Sequence, residues 1–396
     1  MIKYLGSKRA LVPLILRLVE HLPVASACDL FAGTTRVGQA LRGSGIEVHS
    51  NDIATYSAQL AQAYIVADDS VDRPRLAAIL AELSALEGRE GYVSEVFCRR
   101  ARYFQPHNGR RIDAIRAAID RYALSELERG IVLTSLLEAA DRVDSTTGLQ
   151  MAYLKAWAPR SYKELELRLP EAVSGPAGSV STMDANALAP ELDVDLVYVD
   201  PPYNQHSFFS NYHVWETLVR WDFPASYGVA HKRVDCRERK SAYNSRRAAP
   251  AALAGLLASL RAPWLIVSAS DEGFHSAAEL QRLLSRHGHV ARVDVDRKRY
   301  VGAQIGIHSP AGTKVGTVSH LRNLEHLFLV GPEPALVEAA AAQCARGAAG
   351  GSASATPVTS APARSGRSGA EGSASPVATR RQPAASAAAP RPRPPR

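Results

Sequence analysis

The stretch VDLVYVDPPY, residues 194–203, decides the fold class that the sequence predicts. Its first six residues are rich in β-branched and aromatic side chains, which is typical of a buried parallel strand. Two prolines follow Asp200; neither can donate a ladder hydrogen bond and each fixes its own φ, so the chain must leave the sheet as a rigid loop. Asp200 and Tyr203 are therefore expected at the carboxyl end of a strand, where open α/β sheets bind ligands.

A second strand that ends in an acid lies near the start of the chain, at CDLFAGTTRVG, residues 28–38. The turn at Gly33 lets the backbone approach a ligand closely, and a helical pattern follows it. The turn lacks a complete G-x-G-x-x-G and a Walker loop, so the pattern does not favour NAD or ATP. The carboxylate of Asp29 suits a ligand with a positive amino or sulfonium group, although an ordinary strand-to-helix turn is the alternative.

Two further acids end short predicted strands. Asp52 lies about 20 residues past the glycine turn, where such folds place an acid that accepts hydrogen bonds from ribose hydroxyls. Asp184 follows a strand that begins after a Gly/Pro break. With the apolar runs near residues 264–268, 290–295 and 326–330, these strands predict a doubly wound, mostly parallel α/β sheet.

The domain organisation follows from where this alternation stops. Residues 1–55 and 175–335 are expected to form the catalytic domain. Residues 56–174 show helical periodicity and are too long for one crossover, so they predict a helical insertion. Residues 340–396 consist mainly of Ala, Ser, Gly, Pro and Arg and cannot bury enough apolar surface, so we expect a disordered tail.

The basic character of the chain comes mainly from that tail. The formal net charge is +8, and residues 346–396 contain eight Arg and one Glu. The tail either attracts phosphates nonspecifically or is a solvated extension. The four cysteines are far apart and have no zinc-ligand spacing, so we predict no metal site and reduced thiols in a cytoplasmic protein. No signal peptide or membrane span is expected.

Basic side chains also cluster in two parts of the body of the chain. In the insertion, arginines alternate with aromatic residues around residues 99–111, which fits either nucleic acid or a solvated helix face. Residues 232–247 hold seven basic residues against two acids and adjoin the 200–203 loop, so we favour a DNA-facing surface there. Its candidate DNA-binding residues are Arg237, Arg239, Lys240, Arg246 and Arg247.

The 200–203 loop has the groups needed to activate an exocyclic amine. The amino nitrogen of adenine, N6, is a poor nucleophile because its lone pair is delocalised into the ring. Two acceptors for its hydrogens, the Asp200 carboxylate and the Pro201 carbonyl, favour pyramidal geometry and free that pair. Tyr203 would stack on the base, which must be flipped out of a duplex to reach such a pocket.

Three motifs in order make the chain similar to a known family. YLGSK at residues 4–8, DLFAG at 29–33 and DPPY at 200–203 resemble the motifs of the Dam-like class of DNA adenine-N6 methyltransferases, which have a Rossmann-like catalytic domain. Residues 203–213 and RNLE at 322–325 further resemble methylases of type IIS restriction systems. The chain departs from the family pattern at Thr35, where a second glycine is usual, and this puts tight cofactor binding in question.

The resemblance implies a function and a set of site residues. It implies methyl transfer from S-adenosyl-L-methionine to N6 of a flipped adenine in double-stranded DNA, with the insertion recognising the target. Whether the enzyme is an orphan or works beside a cognate restriction endonuclease stays open. The implied catalytic residues are Asp200, Pro201, Pro202 and Tyr203, and the implied cofactor-binding residues are Tyr4, Lys8, Asp29, Phe31, Gly33, Asp52 and Asp184.

Rival functions use the same fold. Cytosine-N4 enzymes of this kind typically carry Ser in place of Asp200 and protein-glutamine enzymes carry Asn, so the aspartate favours adenine. An RNA adenine-N6 methyltransferase stays possible because the tetrapeptide contacts the base and not the sugar. A catalytically idle DNA-binding module is a third alternative, which the intact Asp200 and Tyr203 disfavour.

Overall fold

The computed structural model describes residues 2–151, 153–154, 156–298, 307–308, 314–316, 322–348 and 353–356. Twelve strands are present in this part of the chain: β1 Ser26–Asp29, β2 Glu47–Asn51, β3 Ser179–Ser181, β4 Leu196–Val199, β5 Ser226–Tyr227, β6 Lys232–Arg233, β7 Trp264–Ser270, β8 His289–Lys298, β9 Ile307–His308, β10 Lys314–Gly316, β11 Arg322–Gly331 and β12 Ala353–Thr356. Eight of them form one sheet in the order β12-β8-β11-β7-β4-β1-β2-β3. The strands β5 with β6, and β9 with β10, form two separate antiparallel pairs.

The sheet is parallel through its centre. The strand β4 pairs in parallel with β1 on one side and with β7 on the other, and β1 and β3 both flank β2 in parallel. All four residues of β4 are buried, as the sequence predicts for a central strand covered on both faces. The strand β11 runs antiparallel between β7 and β8, so its first residues lie at the edge where the parallel strands end.

Helices cover both faces of the sheet and form the insertion. The α-helices of the described residues are α1 Val12–Val19, α2 Arg36–Gly43, α3 Thr55–Ala61, α4 Arg73–Ala85, α5 Pro106–Ile119, α6 Glu126–Arg142, α7 Ala185–Leu188, α8 Phe208–Asn211, α9 His213–Arg220, α10 Ala249–Ser259, α11 Ala277–Leu284 and α12 Pro334–Ala348. Two π-helical segments, Gln62–Val66 and Val93–Arg100, lie within the insertion. Apolar residues of α1, α2 and α12 pack on one face of the sheet and those of α7, α10 and α11 pack on the other, which is the doubly wound arrangement.

The insertion has a hydrophobic core of its own. The helices α3 to α6 all contribute buried apolar residues, α6 from every side of its central turns, and α9 joins the same cluster through Val214, Trp215 and Leu218. The helix α6 begins at a capping box in which Ser125 and Glu128 exchange hydrogen bonds with each other's backbone amides. Tyr103 and Phe104, two of the aromatic residues that fitted either nucleic acid or a helix core, are fully buried here.

The structure corrects the predicted start of the C-terminal tail. Residues 340–348, expected to be disordered, form the second half of α12. Alanine has the highest helix propensity, and Val337, Ala340, Ala341 and Cys344 form a buried stripe that packs among the residues of α1 and the sheet. The small residues of this segment suggested disorder from composition alone, although their spacing forms the buried face of an amphipathic helix. The rest of the predicted tail, apart from β12, lies outside the described residues.

The described ranges lack two classes of feature. None of their helices combines the length and apolar character needed to cross a membrane. Groups of three or more His, Cys, Asp or Glu residues that could hold a metal ion are absent from the same ranges. The four cysteines are all buried and unpaired.

Candidate active site

A cavity of about 330 Å³ lies at the carboxyl edge of β1, β2 and β4. Because parallel strands end at the same edge, side chains that are far apart in sequence meet there. The lining residues belong to the N-terminal loop, the strand ends and the segment over the opening: Tyr4–Gly6, Lys8, Leu30, Phe31, Asn51–Ala54, Tyr56, Met183–Ala185, Asp200–Tyr203, Ser207–Phe209 and Glu238–Asn244. The cavity falls in the size range of small-molecule sites.

Asp200 directly follows β4 and is paired with a buried lysine. Lys8 Nζ lies 3.1 Å from Asp200 Oδ1 and 3.4 Å from Glu325 Oε2. Burial raises the pKa of Asp200 to about 6; Lys8 opposes this shift and Glu325 adds to it. Burial alone would lower the pKa of Lys8, but Asp200 and Glu325 outweigh it and hold that pKa well above its ordinary value. Sequence reasoning placed Lys8 beside the cofactor and missed Glu325.

Asp52 is held at the end of β2 by two backbone amides. Oδ2 accepts from Gly33 N at 2.8 Å and Oδ1 accepts from Ala54 N at 2.9 Å. Burial raises the pKa of Asp52 to about 6, although the two amide hydrogen bonds lower it and Glu216 raises it further. Each carboxylate oxygen accepts more than one hydrogen bond, so acceptor capacity remains towards the cavity.

Asn51 joins three strand ends and was not anticipated from the sequence. Its side chain donates to Leu30 O and Met183 O, both at 3.1 Å, and accepts from Met183 N at 3.0 Å. These bonds fix the loop that carries Asp184. The Oδ1 of Asp184 caps α7 by accepting from Asn186 N at 2.9 Å and Ala187 N at 3.3 Å. The Asp184 carboxylate also borders the cavity.

Asp29 and Gly33, two of the predicted cofactor residues, are not among the residues that line the cavity. Asp29 is buried, and its Oδ2 accepts from Gly38 N at 3.0 Å in the first turn of α2. Burial raises its pKa to about 7, Gly38 lowers it, and Asp200 and Asp52 raise it. Gly33 has a φ of 52°, and a Cβ there would approach the Tyr4 ring to 3.0 Å. Asp29 therefore fixes the start of α2, and Gly33 fixes the carboxylate of Asp52, without either residue lining the cavity.

Stacked aromatic rings form one wall of the cavity. Tyr4 stacks on Tyr212 with ring centroids 4.5 Å apart and on Phe208 at 5.3 Å. The Tyr212 hydroxyl accepts from Leu5 N at 2.5 Å. The neighbouring His213 is fully buried, and burial lowers its pKa to about 3. The stretch from Asn211 to Trp215, which is polar and aromatic in sequence, is therefore interior.

Thr35 occupies the turn where the family pattern has glycine. Its φ is 59° and its ψ is 17°, which is the left-handed region that β-branched residues rarely adopt. The strain is accompanied by local hydrogen bonds: Thr35 N donates to Ala32 O at 2.6 Å, and Gln39 Nε2 donates to Thr35 Oγ1 at 2.8 Å. Thr35 thus adopts a backbone conformation that glycine reaches without strain.

The segment Glu238–Asn244 lines the cavity, and side-chain contacts hold it against the neighbouring elements. Arg239 Nη1 lies 3.2 Å from Oε1 of Glu216, which is fully buried, and its guanidinium carbon lies 4.0 Å from the Phe209 ring centroid. Asn244 Nδ2 donates to Asn204 O at 2.8 Å, just after the tetrapeptide. Arg239, predicted to contact DNA, has an internal partner, and Glu216 was not anticipated.

The other predicted DNA-binding residues lie on the surface. Arg237 is exposed and stacks on the Tyr227 ring at 4.1 Å. Arg246 and Arg247 are exposed, with Arg246 5.8 Å from the Phe274 ring centroid, and Lys240 is exposed at the border of the cavity. In the insertion, Arg99, Arg100 and Arg110 pair with Glu90 and Glu95, which reduces the positive field of that cluster.

The donor and acceptor set of the cavity suits a cationic nucleoside. Asp52 has carboxylate oxygens that could accept from ribose hydroxyls, and Asp184 has a carboxylate oxygen that could accept from an amine. The exposed side chain of Ile53 and the partly buried ring of Phe31 provide apolar surface for a purine. The ammonium of Lys8 has three donors, of which Asp200 and Glu325 use two, so one is left for a ligand carboxylate. The residues therefore fit S-adenosyl-L-methionine, a sulfonium nucleoside with an amino-acid end.

Comparisons with known proteins agree with this geometry. The family model of the D12 class of N6 adenine-specific DNA methyltransferases matches residues 4–248. Similar proteins include modification methylase StsI of Streptococcus sanguinis, 30% identical over 75% of this chain and 48% of that protein. Type II methyltransferase M.FokI of Planomicrobium okeanokoites is 31% identical over 72% of this chain and 47% of its own length. Type II methyltransferase M.NlaIII of Neisseria lactamica is 29% identical over 69% and 83%. The chain spans about half the length of the StsI and FokI methylases.

Proposed function

The chain belongs to the D12 class of N6 adenine-specific DNA methyltransferases, and on that premise we propose that it transfers a methyl group from S-adenosyl-L-methionine to N6 of an adenine in double-stranded DNA. One observation carries the proposal: the whole Asp200–Tyr203 tetrapeptide borders the cavity that Asp52 and Asp184 also border. The adenine-activating group and the nucleoside-binding acids thus share one space.

The proposed mechanism assigns each group a task. Asp52, Asp184 and Lys8 would hold the cofactor, whose sulfonium would supply the methyl group to N6 and be left as a neutral thioether when the sulfur–methyl bond breaks. Asp200 and the Pro201 carbonyl accept the two N6 hydrogens and favour the pyramidal nitrogen. Tyr203 stacks on the flipped base. Once N6 carries the methyl group it is cationic, and the Asp200 carboxylate, whose pKa of about 6 is close to neutrality, is the acceptor for the proton that N6 loses.

The remaining roles follow from position. We propose that Asp52 holds the ribose, Asp184 the cofactor's amine, and Lys8 its carboxylate. We also propose that residues 1–55 and 175–335 act as the catalytic domain and that the insertion, residues 56–174, recognises the site. Arg237, Lys240, Arg246 and Arg247 are proposed to contact DNA phosphates. We further propose that the enzyme acts in the cytoplasm as part of a restriction-modification system, with a cognate endonuclease as a partner. The names of the similar proteins, a modification methylase and two type II methyltransferases, support the modification role.

The experiment is methyl transfer from tritiated S-adenosyl-L-methionine to matched substrates. Duplex DNA of mixed sequence, the same sequence as RNA, and DNA in which N6-methyladenine replaces adenine are compared. Label should enter adenine-containing duplex DNA alone. Label in RNA alone would favour the RNA methyltransferase, and no label in any substrate from protein that binds DNA would favour the idle binding module.

A further inference from the structure

One buried ammonium is shared by two carboxylates beside the cavity. The side chain of Lys8 is 8% exposed, and those of Asp200 and Glu325 are 17% and 16% exposed. Lys8 is nearly equidistant from the two acids, at 3.1 Å and 3.4 Å. Asp200 borders the cavity, whereas Glu325 is not one of its lining residues and contacts the site through its ion pair with Lys8. A second acid in this position is not needed to neutralise the lysine.

The reversed direction of β11 brings Glu325 to this place. Glu325 is the fourth residue of that strand and pairs with Ser270, the last residue of β7. Since β7 lies beside β4, the beginning of β11 is at the edge where Asp200 leaves the sheet. A parallel strand in the same position would have placed its last residues there. The side chain of Glu325 therefore lies near the tetrapeptide although it belongs to a strand more than 120 residues later in the chain.

The three charged groups leave a net charge of minus one when both acids are ionised. The other titratable groups around them are Asp29 from β1, Tyr198 from β4, Tyr203 from the tetrapeptide and Tyr4 from the N-terminal loop, with Glu272 acting on Tyr203. None of these is a cation. Lys8 is thus the single positive group among those that act on Asp200 in the described residues.

We propose that Glu325 is a positioning residue for methyl transfer: it shares the Lys8 ammonium and so leaves Asp200 with an excess of negative charge towards the target amine. The inference rests on the proposed function, because it concerns the same site. An isolated Lys8–Asp200 pair would be neutral, whereas the cluster that includes Glu325 carries one net negative charge when both acids are ionised. With Glu325 present, the pair is weakened, and the cluster attracts the positive charge that develops on N6 and the proton that N6 must lose.

The kinetic experiment compares Glu325→Gln, Glu325→Asp and the exposed-residue control Glu333→Gln with the wild type. In Glu325→Gln, kcat at saturating cofactor should fall about tenfold while the KM for DNA stays within about twofold. Removal of a negative neighbour lowers the pKa of Asp200, so the acid limb of the kcat profile should move to lower pH. Glu325→Asp keeps the charge and should recover most of kcat; Glu333→Gln should behave as wild type.

A second readout does not depend on activity. Protein labelled with ¹³C at the aspartate carboxyl carbon is titrated by NMR, and the Asp200 resonance is assigned by its loss in Asp200→Asn. Its titration midpoint should fall by about one pH unit in Glu325→Gln and by less, in the same direction, in Glu325→Asp. If the glutamine variant does not fold, as judged by its melting transition, the aspartate variant provides the same test.

The outcomes separate the inference from the proposed function. A wild-type protein that methylates no DNA overturns the function, while the NMR titration still measures the coupling between Glu325 and Asp200. An Asp200 midpoint that stays unchanged or rises in Glu325→Gln overturns the inference. So does a fall in kcat that is equal at every pH and is not recovered by Glu325→Asp, because that pattern is the one expected from a merely structural role.

Discussion

Cofactor affinity should depend steeply on pH, and Asp52 sets the expected size of the effect. Its pKa in the free protein is raised to about 6, mainly by burial. In the proposed complex ribose hydroxyls donate to the ionised carboxylate, so this part of the affinity should be present above pH 6 and lost as the pH falls through that value. Between about pH 7.5 and pH 5 the ionised fraction falls from nearly all to about one tenth, which predicts a tenfold rise in Kd.

The charge on the ligand provides a way to separate Asp52 from Asp200. S-adenosylhomocysteine keeps the ribose but lacks the sulfonium charge, so its Kd should rise by the Asp52 factor alone. S-adenosyl-L-methionine should lose more affinity, because protonation of Asp200, whose pKa is also about 6, removes negative charge near the sulfonium. Isothermal titration calorimetry of both ligands at pH 5, 6, 7 and 7.5 measures the two slopes, with a melting curve at each pH to show that the protein is folded.

Asp52→Asn is the matched variant for this experiment. The amide keeps the size of the side chain but cannot be protonated in this range, so the affinity for S-adenosylhomocysteine should become weak and independent of pH. A flat profile for that ligand in the wild-type protein would refute the role of Asp52. The same slope in Asp52→Asn would show that another group controls binding.

Three further predictions concern single side chains. Asp200→Ala should abolish methylation and leave S-adenosylhomocysteine affinity within about twofold; a rate above one tenth of wild type contradicts the two-acceptor mechanism. Thr35→Gly should raise the free energy of unfolding by about 1 kcal/mol because it relieves a positive φ, whereas Thr34→Gly should lower it; chemical denaturation measures both, and equal losses would argue against strain at residue 35. Arg239→Gln should weaken cofactor binding by releasing the segment over the cavity, while Arg237→Gln should weaken DNA binding only; calorimetry and gel-shift titration distinguish them, and identical effects would count against an internal role for Arg239.

The parts of the site that sequence could predict are those set by local patterns. A run of β-branched and aromatic residues that ends at Asp200 identifies one strand end, and a second short strand pattern, about 20 residues past the glycine turn, ends at Asp52. Parallel strands share one edge, so the two acids were expected near one cavity, and both line it. The prolines and the glycine turn add conformational constraints that any fold must respect. These local patterns can be interpreted without knowing how the helices pack in the folded protein.

The parts that sequence could not predict depend on contacts between distant segments. Glu325 and Lys8 are 317 residues apart, and nothing in either neighbourhood identifies the other as a partner. Glu216 looks like an ordinary helical acid until Arg239 and the Thr55 amide, which donates to it at 2.9 Å, are seen against it. An arginine in a basic run looks like a phosphate ligand, because the buried acid that binds it is not visible in the sequence.

The position of β11 has a consequence for how the protein is made. That strand enters between β7 and β8, both of which precede it in the chain, so the two must stay apart or separate before it can insert. Such non-local pairing is slow, and it exposes the edges of both strands in the meantime. In a nascent chain whose residues 322–331 are still inside the ribosome, the Asp200–Tyr203 tetrapeptide and Asp52 can already fold, but Glu325 is not yet in place. We therefore expect the proposed methylation to begin only after this strand is in place.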